Sequence, residues 1–294
     1  MIEVPAELAR TQEEFNGAEG RAFVAALPGL VERFLGEWGL RQAGPVMHGL
    51  VALVVPVVTA AGARAALKLQ LLDEESAGEG AALRAWAGGG AVRLLAEDAA
   101  TGTLLLEWLP HGRSLSAVGD AREATAALAG VLARLVATPA PAGLRRLGDM
   151  AADMLDGVPE ALRRLARAED RRLVRECAAA VREVVGEPGD RLLHWDLHFD
   201  NVLAADREPW LAIDPKPLAG DPGFELLPAL CNRFEPGEVR WRFDLMTEVL
   251  GLDRERARAW TLGRVLEDSL WEVEDEEEAV LVGERAEVGR ILLS

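Results

Sequence analysis

The chain has 294 residues, half of them apolar, a formal charge of −17 and two cysteines, Cys177 and Cys231. That length buries a sizeable core, the cysteines are too few for a disulfide framework or a structural zinc site, and the charge has the wrong sign for nucleic acid, which is bound through clustered Lys and Arg. The longest apolar run, residues 50–61, is about half of the roughly 20 residues a membrane helix needs, and residues 1–10 lack the basic-then-apolar order of a secretory signal, so a cytoplasmic protein bound to neither membrane nor nucleic acid is expected.

The first forty residues read as helical, with Phe23, Leu27, Leu30, Phe34 and Trp38 at intervals of three and four, and are expected to form an accessory helical layer. Residues 51–58 and 65–70, joined by a turn ending at Gly62, read as a β-hairpin with Lys68 on its second strand. Residues 74–86 have helical character and place Glu75, Glu79, Leu83 and Trp86 on one face. Two strand-like runs follow, 92–95 and 103–109. After Pro110-His111-Gly112 the chain turns mainly helical, most clearly over 121–137 and 161–185. A domain boundary is therefore placed at this hinge, giving units 1–109 and 110–294. The helical half is interrupted by two short strands, 202–204 and 210–213, around a polar turn, a hairpin whose open end should bring Asn201 opposite Asp214.

The chain holds 30 arginines but only two lysines, Lys68 and Lys216. A lysine kept against such a bias marks a place where a compact point charge is wanted and the wide guanidinium fork does not fit. Asp196 lies in a loop suited to accept a proton, Asn201 and Asp214 offer hard oxygen atoms of the kind magnesium takes, and Lys68 supplies a cation that Glu79 or Glu75 would hold in place. A base, magnesium ligands and a phosphate-binding cation are the parts that phosphoryl transfer from ATP requires.

His194-x-Asp196-x-x-x-x-Asn201 followed by Ile213-Asp214 resembles the catalytic loop and metal-binding aspartate of protein-kinase-like enzymes. The stretch from Leu193 to Arg233, with Asp214-Pro215-Lys216-Pro217 and Gly220-Asp221-Pro222, is similar to the aminoglycoside phosphotransferase family, within it to the streptomycin 6-kinase and hydroxyurea phosphotransferase branch. Weaker similarity extends to Leu104-Leu105-Leu106-Glu107 and to the segment from Arg264 to Trp271. The resemblance implies an α+β, protein-kinase-like bilobal fold with a β-rich N-lobe and a mainly helical C-lobe. It implies ATP and Mg2+ as cofactors and, as acceptor, a hydroxyl of a small, cationic molecule such as an aminoglycoside, which the acidic charge also suits.

Residue by residue, the resemblance implies Asp196 as catalytic base, Asn201 and Asp214 as metal ligands, and Lys68, paired with Glu79, as the phosphate-contacting lysine. Glu107, Trp108 and Leu109 would offer backbone groups to the adenine, Asp221 would hold the catalytic loop by hydrogen bonds, and Glu274 and Asp275 would receive the substrate's amines, close to Trp271 as a further substrate contact. His194 is read as a brace for the loop. Two positions depart from the pattern: Trp195 stands where the family has Gly, and the phosphate loop near residues 44–49 keeps only Gly44 and Gly49. Two other readings compete. One is a kinase-fold binding protein without turnover. The other is a metal-dependent hydrolase using His194, Asp196 and His198, for which the further ligands such a site needs are missing.

Overall fold

The computed structural model describes residues 2–274 and 278–294. The chain divides into two compact units, Met1–Pro110 and His111–Ser294. The first opens with α1 (Ala6–Glu37), which bends at Gly17, where φ is +52°. A sheet follows from β1 (Arg41–Gln42), β2 (Met47–His48), β3 (Ala52–Val58) and β4 (Arg64–Gln70), then α2 (Glu79–Trp86), β5 (Leu94–Asp98) and β6 (Thr103–Glu107). The antiparallel order is β1-β3-β4-β6-β5, with β2 on the side of β3. Leu27, Val31 and Phe34 of α1 share one buried cluster with Leu53, Val55 and Val57 of β3 and Leu67 and Leu69 of β4. Because strand side chains alternate, Leu67 and Leu69 enter that core while Lys68 and Gln70 emerge together on the other face.

The helix expected over 74–86 begins only at Glu79. Asp73 explains the delay: its carboxylate accepts the backbone N–H groups of Glu75 and Ser76, a local turn that competes with helix. Glu75 falls in this turn.

The second unit holds α3 (Ala121–Leu135), β7 (Arg145–Arg146), α4 (Leu147–Arg164), α5 (Ala168–Val184), β8 (Arg191–Leu193), β9 (Val202–Ala204), β10 (Trp210–Ala212) and β11 (Leu218–Gly220). It continues with α6 (Leu226–Cys231), α7 (Val239–Leu250), α8 (Arg254–Val273) and α9 (Glu284–Leu293). β9 and β10 form the expected hairpin, Ala212 opposite Val202, while β11 pairs parallel with β7 and antiparallel with β8. The single helix expected over 161–185 is two. Leu165 takes an extended conformation and the Ala166 N–H donates to Ala279, so a pairing 113 residues away breaks the helix. Gly223, in the 3-10 turn Pro222–Glu225, lets α8 approach closely, since a Cβ there would lie 2.8 Å from the Ala257 Cα.

Candidate active site

In the first unit Lys68 sits at the centre of the sheet, opposite Val54 of β3 and Leu104 of β6. Its Nζ donates to both carboxylate oxygens of Glu79, at 2.8 and 2.7 Å, and both side chains are buried. A buried ion pair needs further hydrogen bonds to offset desolvation. Gln70 supplies one: its Nε2 donates to Glu79 Oε2 at 2.6 Å. Gln70 went unnoticed in the sequence, although its place two residues after Lys68 on one strand is the signal that puts both on the same face. At the end of β6 the Glu107 N–H is given to the Arg93 carbonyl at 3.0 Å, and its carboxylate accepts the Arg93 N–H at 2.9 Å. Of the backbone donors expected to face adenine, that of Glu107 is thus already engaged. Trp108 lies under the Arg64 guanidinium, 4.3 Å away, and Leu109 is buried.

In the second unit a chain of hydrogen bonds gathers the loop of Asp196, Asn201 and the strand before Asp214. The Asn201 Nδ2 donates to the Asp196 carbonyl at 2.9 Å, the Ile213 N–H to the Asn201 carbonyl at 2.9 Å, and the Lys216 N–H to the His194 carbonyl at 3.0 Å. His194 is fully buried and its Nε2 donates to the Ile213 carbonyl at 2.9 Å. Burial pushes its pKa down to about 4, so the ring is neutral and spans the two strands as a brace. Among the described residues no group of three or more His, Cys, Asp or Glu side chains is placed to hold a metal ion.

Asp196 is half-buried. Burial raises its pKa above the ordinary carboxylate value; Lys216, His198 and Arg264 pull the other way and Asp214 adds to the rise. Asp214 has φ +59°, a left-handed conformation rare for a residue with a side chain. With the Asn201 Nδ2 committed to the loop, Oδ1 is the atom of the amide that could take a metal ion. An amide oxygen and a carboxylate are hard donors that suit magnesium, which keeps water and phosphate as its other ligands.

Asp221 does not hold the catalytic loop as expected. Its Oδ1 accepts from the Gly223 N–H at 2.8 Å and its Oδ2 pairs with Arg256 at 2.6 Å, so it caps the 3-10 turn and ties it to α8. The acid on the loop is Glu225, whose Oε1 accepts the Trp195 N–H at 2.6 Å. Asp221 opens the turn and Glu225 closes it, and only the far end reaches residues 194 and 195. Glu225 is buried, and burial lifts its carboxyl to about pH 7.

A cavity of about 450 Å³ opens between α4 and α8, lined among others by Met154, Asp153, Glu160, Glu267, Trp271 and Glu274. Trp271 is exposed on its rim. Of the expected substrate contacts, Trp271 and Glu274 line this cavity, whereas Asp275 lies outside the described residues. Glu267, a further acid of the lining, was not singled out in the sequence.

Residues 37–290 match the aminoglycoside/hydroxyurea antibiotic resistance kinase family. A hydroxyurea phosphotransferase of Kitasatospora aureofaciens is 65% identical over 295 aligned residues, covering 100% of this chain and 86% of the relative. A streptomycin 6-kinase of Streptomyces glaucescens is 54% identical, covering 94% of this chain and 92% of the relative. Among solved structures, a choline/ethanolamine kinase family protein from Mesorhizobium loti superposes with a TM-score of 0.60 at 22% identity, covering 87% of this chain and 84% of that one. A macrolide 2'-phosphotransferase from Brachybacterium faecium gives 0.59 at 18% identity, covering 91% and 97%. The fold is thus protein-kinase-like, with a sheet-rich N-terminal part and a helical C-terminal part. The chain belongs to the aminoglycoside/hydroxyurea antibiotic resistance kinase family, and it is an O-phosphotransferase acting on the hydroxyl of a small molecule.

Proposed function

We propose that the protein transfers the γ-phosphoryl group of ATP to a hydroxyl of a small cationic molecule, an aminoglycoside such as streptomycin, with Asp196 as the base. The observation that carries this reading is the bonded network joining the Asp196 loop to Asn201 and to the strand before Asp214. Asp196 accepts the hydroxyl proton as the acceptor oxygen bonds to the γ-phosphorus in line, and the bond to the β-phosphate oxygen breaks to release ADP. Lys68, held by Glu79, neutralises phosphate charge. Asn201 and Asp214 would hold magnesium, which when bound neutralises the charge of the phosphate oxygens. Trp108 and Leu109 stand near the adenine, and Trp271 and Glu274 receive the acceptor.

Asp153 and Glu274 in the lining of the α4/α8 cavity support a cationic acceptor, Glu160 and Glu267 being paired with Arg164 and Arg264. A second reading, hydroxyurea as acceptor, is favoured by the 65% identical relative. Coupled ADP release with streptomycin and hydroxyurea compared side by side tests both. In Asp196→Ala, turnover falls by about 10²–10⁴, the usual contribution of a positioned base, while nucleotide affinity measured by calorimetry stays within a few-fold. Wild-type turnover in that folded variant would remove Asp196 from the chemistry.

A further inference from the structure

Trp195 precedes the proposed base in a backbone conformation that side chains rarely adopt, φ +65°. Its indole is nonetheless buried, and the indole N–H has no hydrogen-bond partner. What holds the side chain is therefore its π surface. The Arg145 guanidinium lies over the ring at 4.3 Å and that of Arg264 at 4.7 Å. Cations over an indole are attracted by the ring quadrupole, more strongly when removed from water. Arg264 also donates from Nη1 to the Trp195 carbonyl at 3.3 Å, the carbonyl of the peptide that joins Trp195 to Asp196. On the other side of the residue, Glu225 accepts the Trp195 N–H.

Each holder comes from a different element, and each is fixed in turn. Arg145 stands on β7, in register with Leu218 of β11, which is itself opposite Leu193 of β8, two residues before Trp195. Arg264 stands on α8, within 3.2 Å of Glu267 and 3.4 Å of Asp268. A residue whose N–H, C=O and aromatic ring are all restrained has little freedom to rotate the peptide that follows it.

We infer that Trp195, gripped by Arg145 and Arg264, is a positioning residue that sets the orientation of the Asp196 carboxylate. This rests on the reading of Asp196 as the base. The bulky side chain at a left-handed site is thus the handle by which the second unit aims its acid, and the two arginines are positioning residues acting through it. Misplacement of a reacting group by about 1 Å costs on the order of 10²-fold in rate, so loosening the grip lowers turnover and leaves nucleotide binding alone.

The test compares Trp195→Leu, Trp195→Phe, Arg264→Met, Arg264→Lys and Asp196→Asn, with kcat, KM for ATP and melting temperature measured for each. In Trp195→Leu and Arg264→Met, kcat is expected to fall by about 10- to 100-fold with KM for ATP changed less than about twofold. Trp195→Phe, which keeps an aromatic face, and Arg264→Lys, which keeps a cation, recover much of that loss. A merely structural role predicts lower melting temperatures without a selective loss of kcat or rescue by the conservative variants. Should Trp195→Leu not fold, the double variant Arg145→Met/Arg264→Met over an intact Trp195 reads the same quantity. Full kcat in folded Trp195→Leu and Arg264→Met, with Asp196→Asn inactive, overturns the inference alone. An active Asp196→Asn overturns the reading of the base on which it rests.

Discussion

The fold alters the chemistry of Glu225, the acid that accepts the Trp195 N–H. Its carboxyl is raised from 4.5 to about 7 by burial, partly countered by the Trp195 N–H and by Arg264. A carboxyl with a raised folded-state pKa binds more protons in the folded than in the unfolded chain between those two values, so its contribution to stability is present below about pH 4.5 and is lost as pH rises through about 7. The span corresponds to about 3 kcal/mol. Glu225→Gln keeps an oxygen to accept the Trp195 N–H but has no charge to bury. Its chemical denaturation midpoint is expected to vary less with pH over that window than the wild type's and to exceed it above pH 7. A parallel decline in both proteins would show that Glu225 is not the group responsible. Gln70 was legible in the alternation of its strand, whereas Glu225 was not. Glu225 meets Trp195 only because the 3-10 turn after β11 folds back against the loop, 30 residues along the chain, and nothing in local spacing announces such a return. Asp221, four positions earlier, carried the familiar motif and drew the assignment.

At the scale of elements, β4 and α2 are joined by the Lys68–Glu79–Gln70 group, in which three polar side chains satisfy one another away from water. Removing one partner of a buried polar set leaves the others paying the desolvation cost, about 1–3 kcal/mol for each orphaned group. Gln70→Leu is therefore expected to lower stability by that order and to raise KM for ATP several-fold, as Glu79 loses its anchor and Lys68 its fixed direction. Unchanged KM for ATP would separate Gln70 from nucleotide binding. Elements with local causes were readable from the residues. The 202–212 hairpin followed from two short apolar runs around a polar turn, and its register is the one that faces Val202 with Ala212. Two boundaries were not: the α4–α5 break is imposed by the distant Ala279, and the late start of α2 by a local side-chain turn at Asp73, which competes with a helical pattern that residues 74–78 otherwise continue.

For the molecule as a whole, the charge of −17 acts on any ion that approaches it. An acidic surface raises the local concentration of cations and speeds their association, an effect that salt screens over about 10 Å at 0.1 M. At saturating ATP, kcat/KM for streptomycin, a cation, is expected to fall several-fold between about 0.05 and 0.5 M salt, whereas kcat/KM for neutral hydroxyurea stays nearly level. Equal salt responses would mean that the charge serves solubility alone. Among the described residues no helix is long and apolar enough to cross a membrane.

The scarcity of lysine carries a practical corollary. Lys68 is buried against Glu79, and Lys216 is half-buried near Asp196, whose carboxyl it draws down, so both side-chain amines lie beside groups of the proposed phosphotransfer machinery. Lys68, held as an ammonium away from solvent, offers an acylating reagent little, so side-chain labelling that scatters over the surface of most proteins here narrows to Lys216, two residues after Asp214.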